Sequence, residues 1–208
     1  FLIMITLPRR PEPMPELPTW AALVEIMSRT KARIGAFLLF SAAMAFGFVL
    51  GTFTNFVENS YGAQWLWIST AFYPAALFVL SPWAGFLSER LGHGTVLAVG
   101  FFGGACGMLI PLLWESPLAL AGTALMLGLL NGSVPVVSAA LVGGSSERQR
   151  RPLAYGAMFT WRDLGVVAGS LLGLRVGGVT LTFGVFSGVF AVCGVVALIL
   201  NRYAEQEL

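Results

Sequence analysis

Two uncharged runs of membrane-spanning length flank one charged decapeptide, and this arrangement restricts the chain more than any other feature. The decapeptide is Gly85-Phe86-Leu87-Ser88-Glu89-Arg90-Leu91-Gly92-His93-Gly94. Trp65 to Phe86 before it and Thr95 to Trp114 after it hold no charge. Each run matches the roughly 20 residues a helix needs to cross a bilayer. So short a connection predicts two antiparallel neighbouring helices. Gly92 and Gly94 can supply the positive-φ conformations that end one helix and start the next.

Four more apolar runs complete a set of six. The predicted spans are Ile34–Phe56, Trp65–Leu87, Thr95–Trp114, Leu118–Val142, Leu153–Val176 and Leu181–Leu200. Only 11% of the 208 residues are charged, against about 25% in soluble domains, so a water-soluble globule is excluded. The prediction is an all-α membrane protein with six transmembrane helices over residues 34–201. Pro74, Pro82 and Pro135 inside spans predict kinks, because neighbouring helices can satisfy the freed carbonyls.

Residues 1–33 differ. Phe1 to Leu7 is apolar but too short to span, and reads as the cytoplasmic end of a helix whose start is missing, so the chain looks like a fragment. Pro8, Pro11, Pro13, Pro15 and Pro18 favour an extended linker. From Thr19 to Arg33, Trp20, Leu23, Val24 and Met27 share one face. That segment fits either a helix lying on the membrane surface or an extension of the first span. Residues 202–208 read as a cytoplasmic tail.

Lys and Arg set the orientation. Arg9, Arg10, Arg29, Lys31, Arg33, Arg90, Arg148, Arg150, Arg151 and Arg202 fall on one side, and Arg175 alone on the other. The asymmetry places both chain ends and the Arg90 loop in the cytoplasm, with an even number of crossings, in a cell inner (plasma) membrane. Close packing is predicted at glycines four apart: Gly47/Gly51, Gly100/Gly104, Gly103/Gly107, Gly165/Gly169/Gly173 and Gly184/Gly188. Cys106 and Cys193 read as small reduced packing residues. His93 is the only histidine, so no His-based metal cluster or Ser-His unit can form from these residues. No Gly-rich phosphate loop followed by Lys-Ser/Thr is present, and no cofactor, metal, nucleic-acid partner or enzyme activity is expected.

Arg162 and Asp163 are the charges set deep in an apolar run. At about 1.5 Å per residue from Arg151, Arg162 lies roughly 16 Å in, near mid-bilayer. Each such charge costs about 2.5–3.5 kcal/mol by insertion scales, so both should face protein or water. Neighbours on a helix point about 100° apart, which predicts separate partners for the two. Asn131 and Ser133, and Asn55 more peripherally, are the polar candidates in this chain, and a charged partner is expected on an absent half or subunit. Asp163 reads as a proton or cation site and Arg162 as an anchor for an anionic or polar solute, or the two form a structural pair that never titrates. Trp161 either lines a solute cavity or packs on lipid or a neighbouring helix.

The decapeptide resembles the loop signature of the major facilitator superfamily, Gly-x-Leu-x-Asp-Arg-x-Gly-Arg-Arg/Lys. Gly85, Leu87, Arg90 and Gly92 match; Glu89 stands for Asp, and His93 and Gly94 replace the two basic residues. Pro135 with Ala139-Ala140, Glu147-Arg148, Tyr155-Gly156, Arg162-Asp163-Leu164-Gly165 and Gly169-x-x-x-Gly173 resemble the family's tenth and eleventh helices, with Ser170 where Pro is usual. Gly173-Leu174-Arg175-x-Gly177-Gly178 resembles a degenerate outer echo of the loop. The resemblance implies the family's C-terminal half, built from two three-helix inverted repeats. It implies alternating access against a missing N-terminal half, a proton gradient as driver with Asp163 as carboxylate, and a cytoplasmic gate at Gly85, Glu89, Arg90 and Gly92. The expected partners are membrane lipid, the missing half or a partner subunit, and a small-molecule solute. A transporter-like subunit that scaffolds a membrane complex without transporting is the second reading.

Overall fold

The computed structural model describes residues 28, 30–146, 148, 150–175 and 179–206. The predicted linker, most of the segment from Thr19 to Arg33, and much of the Gly173–Gly178 echo lie outside the described residues, as does Glu147. The described residues are helical nearly throughout. Helix α1 (Thr30–Phe48) continues through a π-helical turn (Val49–Phe53) into α2 (Thr54–Tyr61), and these three pieces form the first span. A 3-10 turn (Ala63–Trp65) and a second π-helical turn (Ile68–Phe72) lead into α3 (Tyr73–Leu91). Then come α4 (His93–Leu113), α5 (Pro117–Ser145), α6 (Arg151–Arg175) and α7 (Val179–Gln206).

Six spans are therefore present, each near its predicted place, most of them with longer ends. The first span reaches Tyr61 rather than Phe56, so Glu58 and Asn59 sit in its last turns. Helix α7 runs past residue 201 to Gln206, so most of the predicted tail is helical. Five of the six spans are apolar and long enough to cross a membrane by themselves. The sixth, α6, falls short because Arg162 and Asp163 interrupt it.

The hairpin reading needs correction. Gly92 alone separates α3 from α4, with φ +86° and ψ 149°, a backbone region open to glycine only. Gly94 lies in the first turn of α4 and needs no such conformation. The two helices it joins pack only slightly on each other: α3 lies along α5, and α4 lies along α5 and α7. They are neighbours in sequence more than in space.

Packing matches the predicted repeat in one of the two interfaces that it would exchange. If the unit containing α1, α3 and α4 is matched to α5, α6 and α7, the broad α1–α6 interface exchanges with the broad α3–α5 interface. The third pair is unequal: α4 packs along α5, whereas α1 meets α7 mainly through Phe48, whose ring centroid lies 5.3 Å from Phe183 and 5.1 Å from Phe186.

Glycine sets the close interfaces. A Cβ on Gly47 would fall 2.0 Å from the Val166 carbonyl oxygen, on Gly165 2.3 Å from that of Phe40, and on Gly169 2.0 Å from that of Met44. A Cβ on Gly173 would strike Thr52, and one on Gly51 would press on Ser170. The two stripes thus mesh, α1 and its π turn against α6. Ser170 adds a hydrogen bond, its hydroxyl donating to the Gly47 carbonyl at 3.0 Å. The α4–α5 seam repeats the device: Thr123 donates to the Gly107 carbonyl at 2.9 Å, and Gly100, Gly103, Gly104 and Gly107 press on Ser133, Leu129, Leu130 and Met126. Gly128 and Gly132, unpredicted, fit α5 against Ala76, Leu77 and Ser81 of α3.

Gly184 and Gly188 break the pattern. Their Cβ positions meet nothing within 4 Å, so they serve no close approach among the described residues. Gly188→Ala is expected to leave thermal stability in detergent unchanged or raise it, since Ala favours helix over Gly by about 1 kcal/mol. A drop in melting temperature would show an unseen contact. Cys193 is buried as expected, but Cys106 is exposed.

Candidate functional site

A cavity of about 510 Å³ opens where four helices converge. Helix α1 contributes Leu39, Ala43 and Phe46; α3 gives Leu77; α5 gives Asn131 and Pro135; α6 gives Arg162, Asp163, Val166 and Val167. The meshed glycines position α6 so that its mid-helix charges reach this space. Among the described residues, those lining the cavity include no other titratable group.

Arg162 and Asp163 pair with each other. The guanidinium donates through Nε at 2.9 Å and Nη2 at 2.8 Å, both to Asp163 Oδ1. It also sits over the Phe159 ring, 4.8 Å from the centroid. The expectation that the two residues cannot meet and each need a separate partner is therefore corrected. The 100° between backbone positions is spanned because the long Arg side chain folds back along the helix. The pair stays open: the side chains are 43% and 65% exposed.

Asn131 joins this site and is buried, its amide donating to the Leu127 carbonyl at 3.2 Å. Its side-chain oxygen has no role in that bond. Ser133 does not join: it donates to the Leu129 carbonyl and faces Gly100 of α4. Asn55 lies apart, exposed and bonded to the Gly51 carbonyl. Trp161 stacks edge-on against Phe40, ring centroids 6.2 Å apart, and is not among the lining residues. Phe46 and Val166 on the lining went unsingled in sequence, because apolar walls carry no signal distinguishing them from core, and Pro135 was read as a kink and not as a wall.

The residues expected at the gate cluster at the α3–α4 corner. Glu89 and Arg90 are exposed, in the last turn of α3. The Arg90 guanidinium lies over Phe86, 4.3 Å from the ring centroid. Gly92 is required by its backbone angle. Gly85 is not required by space, since a Cβ there would meet Val136 at an ordinary 3.6 Å. A second cavity of about 390 Å³, between α2, α4 and α7, holds Glu115 as its charged group. Glu115 lies just past the end of α4, so water can solvate it.

Residues 17–207 match a family model described as Major Facilitator Superfamily. No curated protein matches the sequence.

Proposed function

The chain belongs to the major facilitator superfamily, a family of transporters, and on that premise we propose that it forms one six-helix half of a secondary active transporter working by alternating access. In this reading a companion half, preceding this one in the same protein or supplied by a partner subunit, closes the open face of the cavity. The small solute binds between the halves, at the level of Arg162, Asp163 and Asn131. The Glu89 corner, with both chain ends, faces the cytoplasm from an inner membrane. A proton gradient drives the movement.

One observation carries the reading. A mid-helix Arg and Asp, both substantially exposed, open onto a cavity in a helix that must lie in the membrane. Charges at that depth are tolerated against water or protein, not acyl chains. The exposed face therefore belongs to a water-filled, partnered interior.

The test uses the full-length protein. Val167 lines the cavity and is exposed, so Val167→Cys with Cys106→Ser places one accessible thiol there. A membrane-impermeant maleimide should label it in both right-side-out and inverted vesicles. Labelling from one side only, or only by a permeant maleimide, would reject alternating access. The closure of Arg162 on Asp163 is what speaks for a static, scaffolding role, and one-sided labelling would favour it.

A further inference from the structure

The pair's chemistry restricts which solute can split it. Arg162 and Asp163 are closed on each other, and among the described residues of this half no other titratable side chain lines the cavity. Any charged solute that binds one member must leave the other without its partner from this half. The two members are not equivalent in that event. A guanidinium holds its proton at any physiological pH, so it cannot be neutralised in place. A carboxylate can be, by one proton. A cation on Asp163 would strand Arg162 as an uncompensated charge near mid-membrane. An anion on Arg162 strands Asp163, and a proton from the same aqueous phase cancels that charge.

From this asymmetry the geometry points to a small organic monoanion as solute, held by the Arg162 guanidinium, entering together with one proton carried on Asp163. The inference rests on the transporter reading above and deepens it. The balance is one anion and one proton bound, and one of each released on the far side, so the step moves no net charge. The contact supports such an exchange. Both guanidinium donors converge on one oxygen, Oδ1, and Oδ2 stays outside that contact. A solute carboxylate can therefore take over the two-donor fork in one replacement, the geometry that guanidinium groups favour. Asn131, buried on the facing helix with its side-chain oxygen uncommitted to the Leu127 bond, can orient a solute hydroxyl or the proton-bearing carboxyl.

The test is calorimetry on the full-length protein in detergent, with lactate, benzoate and gluconate as monoanions, betaine as zwitterion and tetraethylammonium as cation. Each titration is run in two buffers of different ionisation enthalpy, which reports protons taken up per solute bound. At least one monoanion should bind with uptake of about one proton. Asp163→Asn should bind the same anion about two- to fivefold more tightly, because an exposed ion pair no longer competes, and with no proton uptake. Arg162→Gln should lose at least about tenfold in affinity, the worth of a charged hydrogen bond. Size-exclusion elution of each variant checks folding, and a purely structural pair would leave the proton count unchanged. Binding of betaine or tetraethylammonium without any monoanion, anion binding without proton uptake, or no binding by any probe would each overturn the inference. Two-sided labelling of Val167→Cys in right-side-out and inverted vesicles of the same protein would then show that the transporter reading survives while the solute class fails.

Discussion

Gly169→Val should prevent α1 and α6 from docking and remove most of the folded protein from detergent extracts. A Cβ at 169 would lie 2.0 Å from the Met44 carbonyl oxygen and 2.7 Å from the Met44 carbonyl carbon and Cα. These are backbone atoms in the middle of a helix, so no side-chain rotation relieves the clash. The two helices must move apart, and separation breaks the rest of the mesh: Gly47 against Val166, Gly165 against Phe40, and the Ser170–Gly47 hydrogen bond. Overpacking of this kind costs about 3 kcal/mol or more where the backbone cannot yield. Association of helices in lipid depends on such close van der Waals contact, because acyl chains are as apolar as leucine. The measurement is the monodisperse yield and thermal midpoint beside Gly188→Ala, whose new methyl meets open space. Equal behaviour of the two variants would show that the α1–α6 seam is looser than described.

Asp163→Asn should abolish pH-driven accumulation of solute while leaving exchange across equal pH intact. With one proton carried per solute, a gradient of one pH unit sustains about a tenfold concentration ratio, since a pH unit corresponds to about 1.4 kcal/mol. Asn keeps the size and a carbonyl oxygen but can neither ionise nor carry the proton, so that ratio should collapse to one. Counterflow of labelled against unlabelled solute in proteoliposomes should continue, because in the proposed cycle binding on Arg162 and the movement of the halves do not need the carboxylate. Retained accumulation would remove Asp163 from the coupling. Loss of both activities in a well-folded variant would make the carboxylate part of the solute seat instead.

The spans were legible because their physics is one-dimensional: an uncharged run of sufficient length has few alternatives in a bilayer. The same holds for Gly165, Gly169 and Gly173, where four-residue spacing fixes one face. Spacing does not say whether that face meets a partner, which is why Gly184 and Gly188, spaced alike, turn out to face open space. Gly128 and Gly132 show the reverse, a close seam with α3 that the sequence reading passed over. The candidate site was half legible. Depth in the run singled out Arg162 and Asp163, and polarity singled out Asn131. Their mutual bond was hidden because helix geometry fixes Cβ directions, while a side chain as long as arginine can turn through the difference. Ser133 was a false partner for a similar reason: its depth suits the site, but its face belongs to the α4 seam.

The bond between Arg162 and Asp163 joins neighbours in sequence, and this bears on how the protein is made. A salt bridge between distant helices exists only after the bundle has assembled. This one needs nothing beyond a turn of α6 itself. The most polar of the six spans can coil with its plus and minus already paired, before the surrounding helices arrive.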